Sequence, residues 1–265
     1  MKKLGILILL VVSFSSCTVQ ERIVFDEGMG GRYTTSFDLS QLFAVASQGA
    51  PQSLDQPMKK LDTLVIFDDM LEQYKDSIAT LPMEKQAELK KLKGMTMQMK
   101  MDQANSEFQF TAEKTFSNFN AIANVSEQMD EIFSMAKAQG VGAKVQGPGS
   151  EMLKTDKVVY TFEGNTFSRI DKKSLKETAD DEPTEEDENA TGDDMLTAML
   201  GEFDDLLKQS VMTLSYTFPR KVASVSHKEA EISEDGKTVT YSIDWKSLMD
   251  EPSILENFSV QLEQE

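Results

Sequence analysis

The sequence predicts an α+β fold in which an antiparallel sheet carries amphipathic helices on one face and has a helical insertion beside it. Three observations lead there. Short apolar/polar alternations with a period of two recur along the chain, most cleanly at residues 95–101. Gly- or Asp-bearing turns separate many of these runs, as at 27–31, 163–165 and 234–237. Two longer stretches, 118–139 and 193–209, instead repeat their apolar residues at helical spacing. Alternation that buries one face of a sheet under such helices is what a two-layer domain requires.

The elements follow in order. Residues 22–26 and 32–37 read as strands joined by the turn Glu27-Gly28-Met29-Gly30-Gly31. These glycines do not make a phosphate loop, since no Lys-Ser/Thr follows and the next element is a strand. Asp38 and Ser40 can cap a short helix running to Ala46, and residues 49–63, with Pro51 and Pro57, read as a loop. From 64 to 92 the spacing of Val65, Phe67, Met70, Leu71, Tyr74 and Ile78 predicts helix, with Pro82 suited to a first turn and Gly94 as the stop. The helices within 39–93 form the insertion. Met95, Met97, Met99 and Met101 then alternate with Thr96, Gln98 and Lys100, which puts four thioethers on one strand face. A partner strand at 107–113 aims Phe108, Phe110 and Ala112 the same way.

On the helix 118–139, Phe119, Ile122, Val125, Met129, Ile132, Phe133 and Ala136 form one stripe, and the run from Gly140 to Gly149 ends it. Strands at 157–162 and 166–170 follow. Residues 172–192 read as a disordered loop, because ten acidic residues and no basic one lie between Glu177 and Asp194. Met195, Leu196, Met199, Leu200, Phe203, Leu206 and Leu207 give the helix 193–209 its apolar face. The remainder is strand-rich, at 211–218, 222–227, 229–232, 238–244 and 258–263.

The first seventeen residues, MKKLGILILLVVSFSSC, decide location. Lys2 and Lys3 precede an apolar core from Leu4 to Val12 that is short for a bilayer span, and Ser15-Ser16 precede Cys17, the one cysteine of the chain. This stretch resembles a bacterial lipoprotein signal peptide, although Phe14 stands where the best-known lipobox has Leu. The resemblance implies cleavage before Cys17, a diacylglycerol thioether on its sulfur and, as a rule, an acylated new N-terminus. Residues 1–16 are then a signal peptide, 17–21 an acylated tether and 22–265 a single α+β domain. More than one acyl chain gives stable anchoring, so the first partner implied is the membrane itself. Thr18 after the cysteine, where Asp is absent, favours the outer membrane of a cell envelope by the same resemblance.

Composition and charge remove several function classes. Cleavage takes away two lysines, so the formal charge of −18 becomes about −20 over 249 residues. Such a chain repels nucleic acid, and Lys90, Lys91 and Lys93 are the cationic end of a helix rather than a basic patch. No cofactor motif is present. Acylated Cys17 leaves no thiol for a zinc site, no EF-hand loop occurs in the acidic run, and no metal site is expected. A Ser/His/Asp triad would have to use His227, the one histidine, which follows Ser226 without a nucleophile-elbow sequence and reads as an exposed strand or turn residue. A carboxylate-pair glycosidase would want aromatic platforms, and Trp245 is the one Trp. No catalytic residue is assigned, and the chain reads as a non-enzyme.

Residues 216–225, Tyr-Thr-Phe-Pro-Arg-Lys-Val-Ala-Ser-Val, and 232–241, Ile-Ser-Glu-Asp-Gly-Lys-Thr-Val-Thr-Tyr, resemble the end of LppM-type lipoprotein domains. The opening hairpin with its acidic-glycine turn resembles their start. The likeness covers about a quarter of the chain and implies an exported α+β domain in lipid contact, without catalytic residues.

The candidate site is therefore the face made by Met95, Met97, Met99, Met101, Phe108 and Phe110. Three readings of it stay open: a filled core beneath the helices, a pliable wall for a lipid's acyl chains, or soft ligands for Cu(I). The expected function is a non-catalytic lipid-binding module of the envelope. The alternative is a structural module that binds another envelope protein through an exposed patch, and a carboxylate-dependent hydrolase comes third.

Overall fold

A computed structural model describes residues 18–41, 44, 60–123, 125–126, 128–129, 158–171, 206 and 208–264. Among the described residues, twelve strands form two sheets with four short helices, a mixed α+β fold that is mostly sheet. The strands are β1 (Thr18–Phe25), β2 (Gly31–Asp38), β3 (Leu61–Ile66), β4 (Met95–Asp102), β5 (Glu107–Phe116), β6 (Val158–Glu163), β7 (Thr166–Asp171), β8 (Val211–Thr217), β9 (Val222–Val225), β10 (Glu231–Ile232), β11 (Thr238–Asp244) and β12 (Asn257–Leu262). The helices are α1 (Phe67–Gln73), α2 (Lys75–Ala79), α3 (Met83–Lys91) and α4 (Trp245–Asp250).

The larger sheet has the order β10-β11-β8-β1-β2-β5-β4-β3, and the smaller has the order β6-β7-β12-β9. Two corrections to the single antiparallel sheet follow. The strands divide between two layers, and β1 runs parallel to β8, with Thr18 opposite Val211 and Val24 opposite Thr217. A parallel neighbour needs a long connection, and here β1 and β8 are separated by residues 26–210, a distance that local alternation does not record.

The layers meet through aromatic side chains. Tyr160 of β6 meets Tyr33 of β2, Phe167 of β7 meets Phe25 of β1, and Phe258 of β12 meets Tyr216 of β8, with ring centroids 5.7–6.1 Å apart. His227, after β9, meets Tyr241 of β11 at 4.9 Å. The smaller sheet thus lies over β2, β1, β8 and β11, while β5, β4 and β3 extend past that overlap. Phe25, Phe116, Phe167 and Phe218 pack edge-on and stacked in the centre. Interleaved rings at these separations are the geometry aromatic pairs prefer.

Three segments differ from the sequence reading. Residues 61–66, assigned to loop and helix, form β3, paired with β4 from Leu61 opposite Met101 to Ile66 opposite Thr96. The alternation of Leu61, Thr63 and Val65 is strand-like, but it lasts only six residues before helical spacing starts at Phe67. Residues 18–21, read as part of a tether, belong to β1, with Thr18 opposite both Asp38 and Val211. Helix α4 was not anticipated; Asp244 caps it by accepting from the Ser247 amide and hydroxyl, both at 2.8 Å.

Residues 119–121 form a 3-10 turn, and residues 125, 126, 128 and 129 are helical, as are 206, 208 and 209. The other residues of the helices predicted at 118–139 and 193–209, the signal peptide with Cys17, and the acidic loop 172–192 lie outside the described residues. Among the described residues, no helix is long and apolar enough to cross a membrane.

Candidate functional site

Strand register assembles the predicted face. Met97 lies opposite Ala112, Met99 opposite Phe110 and Met101 opposite Phe108, so the thioethers of β4 and the rings of β5 share one side of the larger sheet. Met95, Met99, Phe108 and Phe110 are buried, and Met97 and Met101 are half-buried against the same core. On the β3 flank Leu61, Thr63 and Val65 continue this face, opposite Met101, Met99 and Met97. The wall occupies the part of the sheet beyond the overlap with the smaller sheet.

A cation stands at its end. Lys114, opposite Met95, is on the inward face of β5 between Ala112 and Phe116 and is 5% exposed. Its ammonium donates to the Lys91 carbonyl at 2.9 Å and to Gln128 Oε1 at 2.5 Å. Burial holds its pKa below the ordinary lysine value, with Asp68 acting in the opposite direction. The Gln128 contact brings the helical residues 125, 126, 128 and 129 to the wall, and Val125, Met129 and the preceding Ile122 are fully buried. Ser126 donates to the Val158 carbonyl at 2.6 Å and ties the segment to the smaller sheet.

A second polar cluster lies between the layers. Glu21 points inward from β1 between Val19 and Ile23, and Arg169 points inward from β7 beside Phe167. Arg169 Nε sits 3.4 Å from both carboxylate oxygens of Glu21, and its Nη1 donates to the Leu255 carbonyl at 3.2 Å. Tyr216 donates its hydroxyl to Glu21 Oε1 at 2.5 Å. Burial, reinforced by the Glu21 charge, pushes the hydroxyls of Tyr33, Tyr160 and Tyr216 above the ordinary tyrosine range. For Arg169, burial opposes the charge, but Glu21 and the surrounding tyrosines outweigh it and raise the pKa. The cluster is closed on itself and joins β1, β7 and β8.

Sequence reasoning missed Glu21, Lys114 and Arg169. The signal was present: each falls on the inward parity of its strand, in step with Ile23, Phe110 and Phe167 respectively. It was passed over because charged residues are ordinarily assigned to the solvent face, and in β1 because the strand was begun at residue 22.

His227 is half-buried against Tyr241 and Phe258 rather than exposed. Its Nε2 donates to the Ile254 carbonyl at 2.7 Å, and its Nδ1 shares a hydrogen bond with Ser226 Oγ at 2.8 Å. Ser226 Oγ also accepts from the Ser259 amide at 2.9 Å. These bonds pin the turn after β9 to β12 and to the segment before it. An open cleft of about 530 Å³ lies alongside, lined by Ile170, His227, Ser253, Ile254, Glu256 and Asn257.

Comparison with known proteins adds one structural likeness. The NMR structure of the folded domain of Mycobacterium tuberculosis LppM superposes with a TM-score of 0.38 at 10% identity, covering 93% of this chain and 89% of that one. No protein-family model matches the sequence, and no curated protein matches it.

Proposed function

We propose that the protein is a non-catalytic lipoprotein of the bacterial cell envelope, anchored through acyl chains on Cys17, whose domain accepts a lipid acyl chain against the Met-Phe wall. The observation that carries this reading is the mismatch between the layers: an eight-stranded sheet faces a four-stranded one, and the wall lies on the strands left over. Most of that wall is buried by the chain itself, in part through the helical segment that carries Gln128, so a lipid would have to share or displace this cover. Methionine suits a surface whose cover changes, because its unbranched thioether repacks around irregular shapes at little cost. Lys114 closes one end of the wall as a buried cation held by the Lys91 carbonyl and Gln128. The anchor is placed in the outer membrane because Thr18, not Asp, follows the cysteine. The residues from 18 onward, where β1 begins, act as one domain, with 39–93 as its insertion.

The test is native mass spectrometry of the chain purified from membranes, with Met97→Glu on the wall and Gln98→Glu on the opposite face of β4. A co-purifying lipid retained in Gln98→Glu and lost in a folded Met97→Glu supports the proposal. A wild-type chain that carries no lipid beyond its anchor refutes it.

A second reading, a module that binds another envelope protein, draws on a different observation. Leu64, Ile66, Tyr74, Leu81 and Met83 are exposed on β3 and on the segments that follow it. Edge strands with apolar exposure recruit partners. Crosslinking from this edge in intact cells distinguishes the two readings.

A further inference from the structure

The position of Thr18 fixes how an anchored molecule stands on its membrane. Thr18 is already a strand residue, held between Asp38 of β2 and Val211 of β8, and Val211 in turn lies opposite Asp244 of β11. Adjacent Cα atoms are about 3.8 Å apart, so an acylated Cys17 would place this row within one residue of the lipid-bearing atom. There is no length of free chain over which the domain could tumble. The end of the larger sheet where β1 begins is therefore committed to the bilayer, and the opposite end, at the β1–β2 turn, is held about 26 Å away by eight strand residues.

What lies beyond that row suits an interface. Helix α4 starts immediately after Asp244, and the Trp245 amide donates to the Ser210 carbonyl at 2.9 Å, which fastens the helix beside the start of β8. Trp245 and Leu248 pack partly against the core, whereas Met249 is 55% exposed, and Lys246 lies on the same short helix. Trp245 is turned into the core with its Nε1 buried, which leaves Met249 and Lys246 as the apolar and cationic side chains that α4 offers to a headgroup layer. The chain is strongly acidic, and four of the carboxylates at this end have partners within the chain. Asp38 accepts from Ser40 and Gln109, Asp102 pairs with Lys60, Asp244 with Ser247, and Asp250 with Lys246.

We infer that the end of the larger sheet carrying Thr18, Asp38, Val211 and Asp244 is the membrane-facing surface, and that α4 lies in the bilayer interface with Met249 directed into it. This inference rests on the lipoprotein reading of Cys17. It also orients the Met-Phe wall: β4 runs toward the membrane, so Met101 is the thioether nearest the bilayer and Lys114, opposite Met95, is at the far end of the wall.

The experiment uses the full chain, expressed with its signal in a bacterial host and reconstituted in phosphatidylcholine vesicles containing nitroxide lipids. Because the chain has one cysteine and acylation consumes it, a cysteine introduced by Met249→Cys or Glu27→Cys is the one reactive thiol and takes an environment-sensitive fluorophore. Intact mass reports acylation first. In the acylated chain the label at 249 is expected to be quenched about threefold more than the label at 27, since interfacial helices sit within roughly 5–10 Å of the acyl boundary. Equal quenching at the two positions, or stronger quenching at 27, in an acylated chain overturns the orientation alone. A chain whose mass shows no acyl groups overturns the anchor and the orientation together.

Discussion

Glu21→Gln tests the polar cluster between the layers, because the substitution keeps size and hydrogen-bonding capacity while removing the charge. Glu21 and Arg169 are 5% and 4% exposed, so neither can turn to water without opening the sandwich. The amide oxygen still accepts from Tyr216, and the Leu255 carbonyl still accepts from Arg169, but the guanidinium loses its counter-charge. Breaking a buried pair from one side costs about 3–5 kcal/mol. The remaining acceptors place this case near 3 kcal/mol, which lowers the urea midpoint by about 1 M for a chain of this size. The assay is equilibrium urea unfolding of the unlipidated Cys17→Ser chain. The triple variant Glu21→Leu, Tyr216→Phe, Arg169→Met removes the ion pair and the Tyr216 donor together and is expected to fall within about 1 kcal/mol of the parent, because apolar replacement of a complete buried pair is often neutral or better. A loss below about 0.5 kcal/mol for Glu21→Gln, or a triple variant as damaged as the single, would refute the account of the cluster.

Other outcomes follow from the same geometry. At Gly31 φ is +146° and a Cβ would come 1.9 Å from the Val24 carbonyl oxygen, so Gly31→Ala is expected to cost about 3 kcal/mol in the same unfolding assay. Asp244→Ala removes the α4 cap and should cost about 1 kcal/mol. Bonds from the Ser247 amide, and then its hydroxyl, hold the Asp244 carboxyl below its ordinary pKa; the cap's contribution is full above about pH 4 and is lost as pH falls through the lower folded value, which an acid titration of the parent against Asp244→Ala will show. In alkali the sign reverses. Tyr33, Tyr160 and Tyr216 have folded pKa values raised by burial, so their stabilisation is complete below about pH 10 and declines above it by about 4 kcal/mol per pH unit for three groups. Lys114, whose pKa is depressed, offsets about 1.4 kcal/mol per unit of this up to about pH 10.5. Tyrosinate absorbance followed against pH should therefore show these three hydroxyls ionising together with unfolding rather than before it.

The sequence disclosed strands wherever alternation was carried by side chains of one kind. The Met run, the Phe run and the hairpins at 27–31, 163–165 and 234–237 all appear where the pattern put them. What could not be read was which strands share a sheet. The parallel pairing of β1 with β8 and the assignment of β9 and β12 to the smaller sheet depend on contacts between residues far apart in the chain. Strand β3 was hidden because six residues of alternation run straight into helical spacing at Phe67, with no Gly or Pro between them. That Met95, Met97, Met99, Met101, Phe108 and Phe110 share one face was legible in the sequence, since they keep the same parity on two neighbouring strands. Glu21, Arg169 and Lys114 obeyed the same parity and were lost only because their charge argued the other way.

The claim that an acyl chain rests on the Met-Phe wall is tested most directly by growing cells on a photoactivatable fatty acid, irradiating them, and mapping the adducts on the purified chain by peptide mass spectrometry. The account predicts adducts on β4 and β5, between Met95 and Phe110, in addition to those carried by the anchor at Cys17. Adducts confined to the Cys17 peptide would contradict it and leave the wall as packing alone.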